Sequence, residues 1–371
     1  MLARQIDPDS RQDRKTFFRF PFDLYRANPY WTPPLQTETG MVFDRERHPF
    51  YRHSMANFFL VEHQAKVVAR FALLHNRLYC DYHNEEAGFI AYLDFIEDRE
   101  IVNCIVETAR AWARKNSLTS FIGPRGLLRS NGFGILIEGF DYSPAFGIPY
   151  NYPYYGPLME AAGFVKLSDL YSGYLEPTYK IPEKVILAAE KIKQRQGFKI
   201  FNATRKKELK PWIDQVGAIY ENAFKQNPNY YPSTQEEFSL MVKSIYQIAD
   251  PRLVKIILKE DRIAGFVLCY PNITTAVRKV AGKLWPLGWI TILREMRTTT
   301  RIDANGIGLL PEHQGRGANI LLYVELEKSL RAFGATYCEF VQADERNVSK
   351  SDMDSMGVIW HKRHRLYRLP V

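Results

Sequence analysis

The alternation of apolar and polar positions sorts the chain into two similar series of elements. NFFLVEHQAKVVARFALL at 57–74 is a pair of apolar runs around a polar break at 62–66, the pattern of two strands joined by a turn. GFIAYLDFI at 88–96 is a further strand. From Asp98 to Lys115 the period changes: Val102, Ile105, Ala109 and Trp112 recur every three or four residues and mark one face of a helix. TSFIGP ends a strand at Pro124, a helix is predicted near 154–162 with Gly163 as its stop, and 169–175 is another strand. EPTYKIPEK at 176–184 is a turn-rich break, followed by the charged helix KVILAAEKIKQR.

The second series begins with a strand at 198–204 and two helices within 206–249. RLVKIILKEDRIAGFVLCY at 252–270 is two strands around a tight turn at Glu260, Asp261 and Arg262. A strand ends near Leu310, a helix covers about 318–333, ATYCEFVQA is a strand, a short helix lies near 349–356, and a last strand closes the chain. Both series therefore share strand, strand, strand, helix, strand, helix, strand, which is a duplication at the level of the fold. The predicted class is α/β (α+β mixed sheet). The expected units are 1–176 and 198–371, joined by a linker and helix at 177–197, each a mixed, largely antiparallel sheet flanked by helices. The first 50 residues, rich in proline and aromatics, carry few periodic signals.

The length of 371 residues agrees with two domains. The net charge of +9 suits a phosphate-bearing partner without choosing among a nucleotide, an anionic lipid and a nucleic acid. None of Cys80, Cys104, Cys269 and Cys338 has zinc-type spacing, and the histidines show no metal-binding motif, so no metal is expected. The N-terminus is polar and no apolar run approaches the roughly 18 residues of a membrane span, so a cytoplasmic protein is expected.

The sharpest local feature is LLPEHQGRGANILLYVELEKSL at 309–330. A strand ends at a proline, a glycine-bearing loop follows, and an amphipathic helix begins, with Ala318, Leu322, Leu326, Leu330 and Phe333 as its buried stripe. Gly315 and Gly317 allow close backbone approach, the N–H groups of the loop and first helical turn converge, the helix dipole adds positive potential, and Arg316 adds a full charge. This arrangement suits a pyrophosphate.

The order strand, (Gln/Arg)-x-x-Gly-x-(Gly/Ala), helix, strand, Asn-bearing loop, short helix resembles the GNAT superfamily of N-acyltransferases, here in the tandem arrangement of a bacterial type with a degenerate N-terminal half. The resemblance implies acetyl-CoA or another acyl-CoA as acyl donor. Its pyrophosphate would sit on Gln314, Gly315, Arg316, Gly317, Ala318 and Asn319, where Asn319 stands in place of the family's Gly or Ala. Backbone N–H groups at Leu309 and Leu310 would polarise the acyl carbonyl, and Asn347 would approach the pantetheine or phosphate. The family's usual tyrosine acid falls on Met353, so Tyr367 is considered for that role. An amine acceptor needs a general base, for which Asp303, Glu312 and Glu339 are the candidates.

In the first half, Asn151, Tyr154, Tyr155, Gly163 and Phe164 resemble the corresponding family segment. The place of its phosphate loop is taken by IEDRE at 96–100, where Glu97, Asp98 and Glu100 would cap a helix and repel pyrophosphate. The stretch from Asn272 to Arg301 is an insertion for such a fold. Its basic residues precede Leu284, Trp285, Leu287, Trp289 and Ile290, the composition of an acyl-chain lid, a membrane-surface element, or a helix packed between the halves. Three functions stay open: N-acyl transfer, most simply of acetyl, to a small-molecule or peptide amine; CoA binding without turnover; and a Fem-type transferase using aminoacyl-tRNA. The intact loop argues for CoA, so no nucleic acid is expected.

Overall fold

The computed structural model describes residues 1–176, 178–225, 227–314 and 317–371. Its N-terminal segment holds more structure than periodicity indicates. A strand β1 (Leu2–Gln5) and a helix α1 (Arg11–Leu24), capped by Ser10 accepting from the Asp13 N–H, precede a short helix α2 (Gln36–Met41). Pro21 inside α1 and the aromatics packed around it hide the helical period, yet Phe17 is fully buried in a core on the face of the first-half sheet away from α4.

The rest of the first half follows the predicted order, with a helix at Arg77–His83 and a strand at Ile135–Glu138 that the sequence pattern did not predict. β2 (Met55–His63) and β3 (Lys66–His75) form a hairpin, a short helix α3 (Arg77–His83) follows, and β4 (Ala87–Phe95) leads into α4 (Arg99–Lys115). The α4 stripe Val102, Ile105, Ala109 and Trp112 packs on this sheet. Then come β5 (Ser120–Gly123), β6 (Ile135–Glu138), α5 (Tyr155–Ala161) and β7 (Val165–Tyr174). The second half runs α6 (Glu183–Gln196), β8 (Phe198–Asn202), α7 (Ile213–Phe224), α8 (Gln235–Ile248), β9 (Val254–Lys259) and β10 (Arg262–Pro271). The insertion contributes α9 (Thr274–Lys279) and α10 (Gly288–Thr298). β11 (Arg301–Leu309), α11 (Ala318–Phe333), β12 (Tyr337–Asp344), α12 (Val348–Ser355) and β13 (Ile359–Pro370) complete the chain.

Among the described residues thirteen strands join one sheet in the order β1-β2-β3-β4-β5-β13-β7-β12-β11-β10-β9-β8, with β6 also on β13. Pairing is parallel at β4–β5 and β11–β12 and antiparallel at the other pairs. The halves exchange their last strands: β13 pairs with β5 of the first half, β7 pairs with β12 of the second, and the two pair with each other. Residues 165–174 thus precede the expected boundary in sequence but complete the second half in space. Asp169, fully buried, accepts from Arg365 at 2.8 and 3.0 Å and pins the register of the central pair. Neither half has its full set of neighbours alone, since removing β13 bares the edge of β5. A fragment 1–180 expressed alone is expected to lack a cooperative unfolding transition, and co-expression with 181–371 to restore one; calorimetric melting of the separate and paired fragments checks this.

Candidate active site

β11 and β12 pair only from Arg301 opposite Tyr337 to Ala304 opposite Phe340, although β11 continues to Leu309 and β12 to Asp344. Both strands bulge where they part. Against β10, β11 carries one extra residue at Asn305–Gly306, and on β12 Gln342 adopts φ +50° while the register with β7 shifts. Bulges bend and twist a strand, so the two ends splay into a wedge. At its mouth the Leu310 N–H donates to Ala264 O at 2.9 Å. Successive N–H groups of a strand point to opposite sides, which turns the Leu309 N–H away from β10 and into the wedge. Gln314 folds back, its Nε2 donating to Leu309 O at 2.9 Å. Of the two predicted carbonyl-polarising groups, Leu309 is therefore directed into the wedge and Leu310 is already used within the sheet.

The loop from β11 to α11 places Glu312 in solvent and His313 edge-on to Phe198. Gly315 and Arg316 lie outside the described residues. Gly317, at φ +77°, is the N-cap of α11 and offers no side-chain cap, so the first-turn N–H groups are available to an anion. Ala318 is buried, and Asn319 Nδ2 donates to Asp352 Oδ2 of α12 at 3.0 Å, tying together the two helices beside the wedge. Asn347 closes the turn into α12: its N–H donates to Asp344 O and its carbonyl accepts from the Lys350 N–H, both at 3.0 Å.

The opposite face of the wedge is charged and buried. Ile302, Ala304, Cys338 and Phe340 pack in the α11 core, which sends the alternate residues Asp303 and Glu339 to the other side, paired in register and each 1% exposed. Asp303 accepts from both Asn272 Nδ2 (2.9 and 3.0 Å) and the Phe146 N–H (2.9 Å). Burial, and then the Glu339 charge, push Asp303 up to about 7, against the opposing pull of these donors and of Lys362. Glu339 is held by Lys362 Nζ at 2.7 Å and by the Tyr337 hydroxyl at 3.3 Å. Lys362 also donates to Ser143 O at 2.8 Å. The first half supplies part of this wall: Phe133 O accepts from Gln342 Nε2 at 2.7 Å, and Arg129 pairs with Glu221 of α7 while lying over Tyr230.

Three residues considered from sequence as acid or base therefore fall in different places. Glu339 reaches the site but is locked in a buried ion pair. Glu312 is on the exposed loop. Tyr367 does not reach the site: strand exchange carries the far end of β13 into the first-half core, where its hydroxyl donates to Glu160 at 2.9 Å and burial raises its pKa. Asn272, Phe146 and Lys362 were missed, because each arrives from a segment distant in sequence. Met353 is buried in the core. Among the described residues His75, Cys80 and Glu86 place donor atoms within 4.8 Å of one another. The Cys80 thiol there donates to Ala87 O, and burial raises it to about 11.

The first half has the same wedge, since β4 pairs with β5 only at Ala87–Phe89 and bulges at Tyr92, φ +50°. Here it is filled. Tyr155 stacks on Phe95 at 4.1 Å and its hydroxyl accepts from the Phe95 N–H at 3.0 Å; the Tyr154 hydroxyl donates to Phe95 O at 2.7 Å. Tyr25 joins Tyr155 (2.8 Å) to Asp94 (2.9 Å).

No family model matches the chain. It is 23% identical over 368 residues to Protein YghO of Escherichia coli, covering 96% of this chain and 93% of that one. It is 26% identical over 364 residues to the bacterial ceramide synthase of Caulobacter vibrioides, covering 95% and 94%. Among solved structures it is similar to a tandem GNAT protein from the clavulanic acid biosynthesis pathway, with a TM-score of 0.55 and 12% identity over 99% of this chain and 98% of that one. The chain has the tandem GNAT fold. Within this fold its two wedges differ. The second offers an inward N–H at Leu309 and an uncapped helix start at Gly317; the first is filled by tyrosines and bordered by Asp98 capping α4. Tyr155→Phe leaves the Phe95 N–H without its acceptor and is expected to cost about 1–3 kcal/mol of stability; melting curves check this.

Proposed function

We propose that the chain is an acyl-CoA-dependent N-acyltransferase whose acceptor is a long-chain amine. The observation that carries this reading is the open wedge between β11 and β12 beside a buried carboxylate, Asp303, raised to about 7. A group poised near neutrality and shielded from water suits proton abstraction. The Leu309 N–H polarises the thioester carbonyl, and Gly317, Asn319 and the helix start, with Gly315 and Arg316 of the same loop, hold the pyrophosphate. The amine nitrogen attacks that carbonyl, the C–N bond forms, the C–S bond breaks, the amine proton passes to Asp303, and the CoA thiolate takes up a proton on leaving. The acceptor class is supported by the ceramide synthase likeness, because a ceramide is the amide of a fatty acid with a long-chain amino alcohol. Met353 supports a second reading, CoA binding without turnover, because it offers no hydroxyl to protonate the thiolate.

Titration calorimetry with acetyl-CoA and a long-chain acyl-CoA tests the donor site and its chain-length preference. The wild type is expected to bind one equivalent and Gly317→Glu none, while Gly317→Asn, which tolerates positive φ, separates the blocking effect from backbone strain. Loss of binding in all three would sink the reading.

The Asp303 carboxylate is the reactive form, so kcat/KM for a long-chain amine is expected to fall about tenfold per pH unit below an apparent pKa of about 7. Asp303→Asn should lower the rate by about 10²-fold and abolish that limb. Stability carries the opposite sign. The folded pKa lies above the ordinary 3.8, so the folded state binds more protons between those values and this group's contribution declines as pH rises through them. The asparagine variant is therefore expected to be at least as stable as wild type at pH 8 by denaturant melting. An unchanged pH profile in Asp303→Asn would remove Asp303 from the mechanism.

A further inference from the structure

The insertion leaves the sheet and returns to it at adjacent points. The Asn272 N–H donates to Arg301 O at 2.8 Å, next to Pro271 paired with Ile302, so α9 and α10 hang from an unbroken β10–β11 hairpin. Their base is fixed. Ile273, Ala276, Val277 and Ile292 form a small core with Leu35 and Phe146, and Arg278 Nη1 donates to Pro29 O, Tyr30 O and Ser143 Oγ at 2.8, 3.2 and 3.0 Å. Their tip is apolar and bare. Trp285 is 79% and Leu287 65% exposed, and Trp289, Ile290 and Leu293 continue the patch along one stripe of α10. Such a run of large apolar side chains marks a contact surface.

The rim of the patch chooses the occupant. Exposed Lys279, Lys283, Arg294 and Arg297 flank it, and Glu295 is the lone acid between Asn272 and Arg301. Tryptophan and leucine inserted at the level of lipid headgroups, with a basic collar on anionic phosphates, is how an amphipathic helix lies in a bilayer interface. Among the described residues no helix is long and apolar enough to cross a membrane, so attachment would be to one leaflet. We propose that residues 284–293, with this basic rim, dock the protein on an anionic phospholipid surface. The inference goes beyond the acyl-transfer reading and deepens it: an amine with a long apolar chain resides in a bilayer, and the docking element is rooted at Asn272, which holds Asp303.

Flotation of the full chain with phosphatidylcholine vesicles, pure or with about one third phosphatidylglycerol, tests the proposal without donor or turnover, so its failure is separable from failure of acyl transfer. Binding is expected on the anionic vesicles, with a blue shift of tryptophan emission and release by salt. The double variant Trp285→Ser, Leu287→Ser should bind about tenfold more weakly, as should Lys283→Glu, Arg294→Glu, each with unaltered melting and acyl-CoA binding. Equal vesicle binding by wild type and variants, or none by wild type, overturns the proposal. So does a wild-type dimer in sedimentation that the Trp285→Ser, Leu287→Ser variant dissolves and that shows no affinity for vesicles, because a second copy would then cover the patch.

Discussion

β7 and β13 run antiparallel from Val165 to Arg368, and each uses its other edge to reach the opposite half of the molecule. This pair makes one sheet of two repeats. Each backbone hydrogen bond contributes only about 1 kcal/mol net, but a slip by one residue would turn every side chain of both strands to the wrong face. The pairing of buried Asp169 with Arg365 removes that freedom. One strand, β13, then serves both halves. Near its start Lys362 neutralises Glu339 beside the open wedge, and near its end Tyr367 fills the first core.

The two wedges are the same backbone device brought to different ends. Parting two strands leaves N–H and C=O groups without a ladder partner, and buried groups of that kind must find another. In the first half the tyrosines of α5 and its N-cap supply it at Phe95, with Tyr25 closing the network. In the second half the Leu309 carbonyl is met by Gln314 while the Leu309 N–H is left facing the gap. Having filled its own wedge, the first half turns outward and becomes a wall of the other, through Phe133 at Gln342 and Phe146 at Asp303.

Periodicity was sufficient for most of the elements, because the hairpins and the α4 and α11 stripes are local patterns with one face in a core. It failed over residues 1–50, where proline and clustered aromatics give no clean period although Phe17 is fully buried. The glycine-bearing loop stood out because its residues are six consecutive positions, of which Gly315 and Arg316 lie outside the described residues. The acid–base side was legible only in part: Asp303 and Glu339 were candidates, but the groups that hold them were not. Asp303, Asn272, Phe146, Glu339 and Lys362 come from five segments brought together by strand exchange and by the insertion. Tyr367 was misplaced for the same reason, since nothing in a β-strand pattern says which edge it will join.

The insertion is the feature that most separates this chain from a plain doubling of the fold, and its cost to the sheet is small. Because it leaves and rejoins at hydrogen-bonded neighbours, the β10–β11 ladder closes beneath it and the bulge at Asn305 keeps its place. Its first residue, Asn272, is also a donor to Asp303. A hydrogen bond to a carboxylate favours the charged form, so Asn272 opposes the burial that raises Asp303 and helps to leave it near neutrality rather than far above. The electrostatics of Asp303 and the anchoring of the exposed apolar tip thus meet in one side chain.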